Sequence, residues 1–177
     1  MTYTKHYRNF LLSGILLLLC IGLYTSCRMT YGFVTKSIDY DKVKTFSVYY
    51  FPNRARLVNP NLSQQITEAL QDKLLRQTSL DQLTESGDLE FEGQITGYDT
   101  RPMNISEGDF AAQTRLTVTV KVKYTNNTNR EDDWEKTFSA YADFDATRIL
   151  SDVEDELMVE IIEQITEDIF NASIAKW

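Results

Sequence analysis

Few residue types in this chain could support metal binding or nucleophilic catalysis, and those that could stand near its start. The 177 residues include one histidine, His6, and two cysteines, Cys20 and Cys27. Zinc sites are built from cysteine and histidine, and serine or cysteine nucleophiles are usually activated by a histidine. The seven glycines occur singly, so there is no glycine-rich loop to hold a phosphate. We therefore expect no metal, no cofactor and no histidine-based catalytic site.

Carboxylates are the remaining candidates for chemistry. They stand in the run 131–133, at Asp143 and Asp145, and along the last predicted helix, where they could bind Ca²⁺ or form an acid–base pair. None has the spacing of an EF-hand loop. A glycan hydrolase would need two inward-facing carboxyl groups about 5–9.5 Å apart, whereas the periodicity turns nearly all of them outward. That alternative stays open, but the sequence favours a protein without catalytic residues.

The first residues have the layout of an export signal. Lys5 and Arg8 precede an apolar segment, residues 10–24, and small residues follow it. As a helix this segment would be about 22 Å long, shorter than the roughly 30 Å core of a bilayer. We therefore predict a signal peptide at residues 1–26, with an uncleaved membrane anchor as the alternative.

Cys27 is the cysteine that would remain in the exported chain. It follows Ser26, at a place where cleavage requires a small side chain, and it has no second cysteine with which to form a disulfide. A signal that ends in this way resembles a bacterial lipoprotein signal, in which the cysteine is acylated. We predict that Cys27 is a lipid anchor and that residues 27–42 form the acylated N-terminus and a spacer. Cleavage elsewhere, leaving a free thiol, is the alternative.

The charge balance limits the possible partners. The chain has 18 basic and 26 acidic residues and a net charge of −8, and the signal contains basic residues but no acidic ones. The mature chain is therefore still more acidic, which argues against nucleic acid as a partner. An acidic chain also has no general attraction to anionic lipid, so its link to the membrane would depend on acyl groups.

Four segments alternate apolar and polar residues with the two-residue period of a β-strand. The clearest is "RLTVTVKVKY", in which leucine, valine and tyrosine occupy every second position. The predicted strands are residues 43–51, 87–98, 115–124 and 134–144, with a long loop at 99–113.

Two further segments repeat apolar residues every three to four positions, the period of an amphipathic helix. The first follows Asn59, a capping residue, and Pro60, which suits the first helical position, and extends to about Gln77. The second is predicted to begin at a capping box formed by Ser151 and Glu154, and one of its sides is acidic. The order β-α-β-β-β-α predicts an α+β fold in residues 43–177, a two-layer sandwich with both helices on one face of the sheet. The other face should be wet or covered by a partner.

Several of these segments together resemble the LptE family of lipopolysaccharide-assembly lipoproteins. They are "YYFPN", "LVNPNLSQQITEALQDKLLRQTSL", "GDLEFEGQITGY", "RLTVTVKVKYTNN", "FSAYADF" and "VEDELMVEIIEQITEDIFN". The resemblance implies two helices on a four-stranded mixed sheet, in a domain anchored on the periplasmic side of the outer membrane. It also implies a non-enzymatic role in which the domain assists assembly of the LptD barrel, plugs it and contacts lipopolysaccharide.

A contact with lipopolysaccharide would require cations, because the ligand carries phosphates. Arg115, Lys121 and Lys123 share the polar face of one predicted strand and are our candidates for this contact. The alternative is cross-strand pairing with carboxylates, since one hairpin register places Lys123 opposite Glu135 and Arg115 opposite Asp143.

The long loop at 99–113 contains apolar side chains that suggest burial against a partner. Met103, Ile105 and Phe110 are therefore our candidates for contact with the barrel, although the loop could instead fold back on its own sheet. A fold does not fix a ligand. The alternative function is accordingly an outer-membrane lipoprotein that serves as a binding module for another ligand or barrel partner.

Overall fold

The alternating segments form an open mixed β-sheet, and the two amphipathic segments form helices on one of its faces. The computed structural model describes residues 38–57, 59–103 and 112–174. In chain order the elements are β1 (Thr45–Val48), α1 (Leu62–Gln77), β2 (Asp81–Gln82), β3 (Leu89–Met103), β4 (Gln113–Asn126), β5 (Trp134–Asp145) and α2 (Glu154–Ser173). Short 3₁₀ turns at Arg130–Asp132 and Leu150–Asp152 precede β5 and α2.

The prediction of an α+β fold with two helices is confirmed, whereas the predicted number of strands is wrong. The sheet has five strands in the order β2-β1-β3-β4-β5. β1 pairs in parallel with β2 and β3, and the pairs β3–β4 and β4–β5 are antiparallel. The additional strand, β2, has two residues, both exposed, so it shows no alternation that a sequence pattern could reveal.

The core lies between the helices and the sheet. α1 contacts β1 and β2, α2 contacts β4 and β5, and the two helices contact each other. The apolar rows predicted from the sequence are buried, and many of their side chains are fully inaccessible to solvent. These include Leu62, Ile66, Leu70 and Leu74 of α1, Leu116, Val118, Val120 and Val122 of β4, and Ile161, Ile165 and Ile169 of α2. Burial of each such side chain contributes about 1.5–3 kcal/mol, so the core fixes the face of every element.

Both helices begin later than predicted. α1 starts at Leu62 rather than Pro60, yet Asn59 still serves its N-terminus, because its Oδ1 accepts hydrogen bonds from the backbone N–H of Asn61 (2.9 Å) and of Leu62 (3.2 Å). The predicted capping box of α2 is wrong. Ser151 lies in a 3₁₀ turn, where its hydroxyl bonds the neighbouring Asp152 side chain at 3.3 Å.

The predicted loop at 99–113 is also wrong at both ends. β3 continues to Met103 and β4 begins at Gln113, and the two residues pair with each other. Pro102 therefore lies within a strand. It is tolerated there because β3, in the described part of the chain, has no neighbour on its β1 side beyond Ile95, and proline is accepted where no ladder bond is needed.

Candidate functional site

The face of the sheet opposite the helices is polar and is not covered by any element of the described residues. Strand alternation and the pairing registers place one set of side chains on this open face. It comprises Glu90, Glu92, Gln94, Asp99 and Arg101 from β3, Arg115, Thr117, Thr119, Lys121 and Lys123 from β4, and Glu135, Thr137, Ser139, Tyr141 and Asp143 from β5. The three predicted lipopolysaccharide contacts all lie on it, along about 27 Å of β4.

Arg115 is held firmly at one end of this face. Its Nε and Nη2 atoms each donate a hydrogen bond of 2.8 Å to a different oxygen of Asp143. Its guanidinium carbon lies 3.5 Å from the centroid of the Tyr141 ring, a cation–π contact. The hydrogen bonds from Arg115 lower the pKa of the Asp143 carboxyl, and the same bonds raise the pKa of Arg115. Arg115 is therefore positioned before any ligand arrives.

The two lysines make looser ion pairs. Lys121 Nζ lies 2.7 Å from Glu135, and Lys123 Nζ lies 3.2 Å from Glu92. All four side chains are between 42% and 55% exposed, and ion pairs this exposed contribute only about 0–1 kcal/mol. A shallow depression of about 220 Å³ lies between these charges and is bounded on one side by Pro52. The lysines can therefore exchange partners at little cost.

The β4–β5 ladder has the register in which two of the predicted lipopolysaccharide contacts lie opposite carboxylates. Arg115 is opposite Asp143 and Lys123 is opposite Glu135 in the β4–β5 ladder. The ion pairs follow this register for Arg115 only, because Lys123 turns to Glu92 on β3 and leaves Glu135 to Lys121. All three predicted cations thus have carboxylate partners, and their contact with lipopolysaccharide stays a prediction.

One cation of the open face was not predicted. Arg101 is directly opposite Arg115 in the β3–β4 ladder and has no carboxylate within ion-pair distance in the described residues. The sequence placed Arg101 in a loop, so its position beside Arg115 became evident only from the extended strand. Asp143 is paired with Arg115, and the further carboxylate Asp99 lies on the same face two residues before Arg101.

Several of the carboxylates considered for catalysis or metal binding have structural partners. Asp133 accepts a 2.7 Å hydrogen bond from the backbone N–H of Asn126, and Asp132 accepts one of 3.0 Å from the side chain of Asn129, so both stabilise the β4–β5 turn. Asp145 accepts two bonds from Thr147. Among residues 38–57, 59–103 and 112–174, no group of three or more histidine, cysteine or acidic side chains is placed to bind a metal.

Glu154 joins three segments at the starts of the two helices. Its Oε1 accepts hydrogen bonds from the Tyr98 hydroxyl and from the side-chain amide of Asn59, the latter at 2.8 Å. Tyr98 is 5% exposed, and its burial, with the hydrogen bond to Glu154 as the second cause, raises its pKa. Glu154 is the first residue of α2, so it does not stand at the third helical position that a capping box requires.

The predicted barrel contacts are only partly visible. Met103 is half-buried at the end of β3, whereas Ile105, Phe110, Cys27 and the predicted signal peptide lie outside the described residues. In the described part of the chain, neither helix has the length and apolar character needed to cross a membrane.

Comparison with known proteins supplies a family and a fold. The sequence model of the LptE family, described as Lipopolysaccharide-assembly, matches residues 43–173. Among solved structures, a hypothetical protein from Chlamydia trachomatis has a TM-score of 0.50 at 11% identity, covering 76% of this chain and 99% of its own.

Two lipoproteins are also similar to this chain in structure. A minor lipoprotein from Acinetobacter baumannii has a TM-score of 0.46 at 13% identity, covering 72% of this chain and 89% of its own. Lipoprotein B from Nitrosomonas europaea has a TM-score of 0.44 at 16% identity, covering 72% and 79%. No curated protein sequence matches the chain significantly.

Proposed function

This chain belongs to the LptE lipopolysaccharide-assembly family, and we propose that it is a non-enzymatic outer-membrane lipoprotein that supports assembly of an LptD-like barrel, plugs it and contacts lipopolysaccharide. The observation that carries the proposal is the extent of the family match, which runs from just before β1 to the end of α2. The family's role in lipopolysaccharide assembly therefore applies to the whole α+β domain.

We place the membrane attachment at Cys27. The described domain begins at Ile38, eleven residues further on, and a fully extended chain of that length reaches at most about 40 Å. Several acyl groups on one residue would hold the protein stably at the inner leaflet. The domain would then stay within about 40 Å of the periplasmic side of the outer membrane, close enough to enter a barrel from below.

We place the contact with lipopolysaccharide on the open face. Phosphate groups form strong charge-assisted hydrogen bonds with lysine and arginine. Lys121 and Lys123 flank the depression of about 220 Å³, and a phosphate entering it would replace Glu135 and Glu92 as their partner. Since those exposed ion pairs are weak, the exchange costs little. Arg115 is already oriented by Asp143 and retains further N–H donors for a ligand.

Co-purification tests the partner and the anchor together. The full-length protein, extracted in mild detergent, should carry a large outer-membrane barrel with it, and the mass of its mature N-terminus should equal that of a chain beginning at acylated Cys27. An acylated chain that brings down no barrel would favour the alternative, a lipoprotein binding module for another ligand. An unmodified, freely soluble chain would contradict both proposals.

Charge removal on the open face tests the ligand contact. The double variant Lys121→Gln/Lys123→Gln should lower photo-crosslinking to lipopolysaccharide about five- to thirtyfold, as expected for the loss of two charge-assisted contacts. Lys42→Gln/Lys44→Gln is the matched control, because both of its lysines are exposed and lie before β1, away from the open face. Equal crosslinking in the two variants would show that the open face is not the contact.

A further inference from the structure

The two helices leave a cleft on the outer side of the molecule, away from the open face. Asn59, just before α1, bonds Glu154 at the start of α2, and Lys73 of α1 pairs with Glu167 of α2 at 2.5 Å. The helices therefore lie side by side and run in the same direction. Between them is a cleft of about 570 Å³ that extends along α2 from Asp155 to Thr166, about 16 Å of helix.

The floor of the cleft is apolar. Ala69 of α1 faces Met158 and Ile162 of α2 across it, and Val159 stands at its rim. Val159 is 69% exposed and lies among the acidic residues on the solvent-facing side of α2. The small side chain of Ala69 leaves space in the cleft that a larger side chain would fill. This floor offers a partner an apolar contact that the open face does not.

The walls of the cleft are predominantly acidic. They carry four carboxylates, Glu68, Asp72, Asp155 and Glu163, and two cations, Lys73 and Arg76. Both cations are already paired, Lys73 with Glu167 and Arg76 with Asp72. No cation of the described residues lies within ion-pair distance of Glu68, Asp155 or Glu163. The cleft therefore has unmatched negative charge.

A buried acceptor in the same cleft also lacks a partner. The Oε1 atom of Gln65, which lines the cleft, is buried and accepts no hydrogen bond from the described residues. A buried acceptor without a donor costs about 1–3 kcal/mol in general, and rotation of the partly exposed Gln65 side chain would let its amide oxygen accept from a donor in the cleft. Lysine and arginine side chains are donors that carry the charge required by the neighbouring carboxylates.

These features select one class of occupant. Two helices side by side with an apolar floor between them form the kind of groove into which an amphipathic helix packs. A second copy of this chain is disfavoured, because its own α2 would bring further carboxylates, such as Glu156 and Glu160. Anionic lipids are disfavoured for the same reason. We propose that the cleft between α1 and α2 is a docking site for a basic amphipathic helix of a partner protein.

Site-specific crosslinking with defined peptides tests the docking site without requiring the barrel or lipopolysaccharide. The mature full-length chain, in a zwitterionic detergent, would carry a photoreactive residue at position 159. The probes are two synthetic helices of about 16 residues with the same leucine face, one with lysine and the other with glutamate on the polar face. The lysine peptide should crosslink saturably, and the glutamate peptide should not.

Charge removal then locates the contact. Asp155→Asn/Glu163→Gln should weaken binding of the lysine peptide about five- to thirtyfold, the effect of losing two partly exposed charge pairs. Glu156→Gln/Asp168→Asn removes the same charge from α2 outside the cleft and should change binding less than about twofold. To test Val159 itself, the photoreactive group is moved to Leu75, which is also exposed. In that chain, Val159→Lys should abolish crosslinking of the lysine peptide.

Three results would overturn the proposal. Equal weakening by the two double variants would mean that the peptide responds to net charge alone. Equal crosslinking of the lysine and glutamate peptides would mean that charge does not select the occupant. A crosslink from position 159 to another copy of this chain would identify a homodimer interface. The cleft lies away from the open face, so unchanged lipopolysaccharide crosslinking in Lys121→Gln/Lys123→Gln would contradict only the proposed ligand contact. The cleft proposal and the proposed ligand contact therefore fail separately.

Discussion

Substitution of Gly93 tests how closely Phe51 packs against β3. A Cβ atom at this position would lie 2.5 Å from Cε2 and 2.6 Å from Cζ of Phe51, far inside van der Waals contact. Phe51 is completely buried, so its ring cannot turn toward solvent. Overpacking of this kind costs about 1–3 kcal/mol, and the lower entropy of the unfolded alanine chain returns about 0.4–1 kcal/mol. Taking the middle of each range, about 2 and about 0.7 kcal/mol, Gly93→Ala should destabilise the protein by about 1.3 kcal/mol.

The assay is urea denaturation of residues 27–177, followed by far-ultraviolet circular dichroism and tryptophan fluorescence. In a thermal melt the same change corresponds to a lower midpoint by roughly 2–8 °C for a domain of this size. Gly97→Ala is the matched control, because its Cβ would meet the partly exposed Thr119 side chain at 3.1 Å and Asp99 Oδ2 at 3.8 Å, and it should change stability by less than about 0.5 kcal/mol.

A double-mutant cycle identifies the clash itself. Phe51→Leu should cost less in the Gly93→Ala background than in the wild type, with a coupling of about 0.5–3 kcal/mol, because the smaller side chain makes room for the new methyl group. If Gly93→Ala were as stable as the wild type, or if the coupling were zero, the reasoning from the Phe51 contact would be refuted.

Three further predictions follow from other contacts. Tyr98→Phe removes a buried hydrogen bond to Glu154 and should lower the free energy of unfolding by about 1–2 kcal/mol in urea titrations. Arg115 lowers the pKa of Asp143 below its ordinary value of 3.8, so the pair stabilises the protein above that pH and less so as the pH falls. Between pH 6 and about pH 2, the free energy of unfolding of Asp143→Asn should therefore fall less steeply than that of the wild type. Replacing residues 104–110 by a glycine–serine linker should preserve folding but reduce maturation of the barrel.

Each of these predictions has a control. Tyr141→Phe removes a hydroxyl from an exposed tyrosine and should leave the urea midpoint almost unchanged. Asp99→Asn removes another carboxylate of the open face that has no ion pair in the described residues, and it is the control for the loss of one negative charge. For the linker variant, normal barrel maturation would contradict a role of this loop in assembly.

Much of the fold could be predicted from the sequence because burial there is periodic. The alternation in β4 and the repeat of leucine in α1 identify both the element and the face that it buries, and the structure buries those residues. The register of the β4–β5 hairpin was also within reach, since the polar turn between its strands limits the possible alignments. The resemblance to the LptE family rested on the same segments and is confirmed by the match over residues 43–173.

Other features were not predictable because no periodic pattern accompanies them. In β3, the register shifts between Ile95 and Gly97, so that Ile95 and Tyr98 are both buried although they are three residues apart. An extra residue of this kind, a β-bulge, breaks the alternation. The predicted strand continued past this bulge but ended at residue 98, which placed Arg101 in a loop. The two-residue strand β2 escaped prediction because it is too short to have a period.

The sequence by itself determined which residues of each element face the core, that residues 27–177 carry more acidic than basic side chains, and that no histidine or cysteine follows Cys27. Only the tertiary structure decided which charges meet. It paired Lys123 with Glu92 instead of Glu135, used Glu154 to join Asn59 and Tyr98, and opened the cleft between α1 and α2. The physical reason is one of distance along the chain. Burial repeats every two to four residues and is therefore encoded locally, whereas an ion pair or a cleft depends on atoms that come together only when distant segments pack.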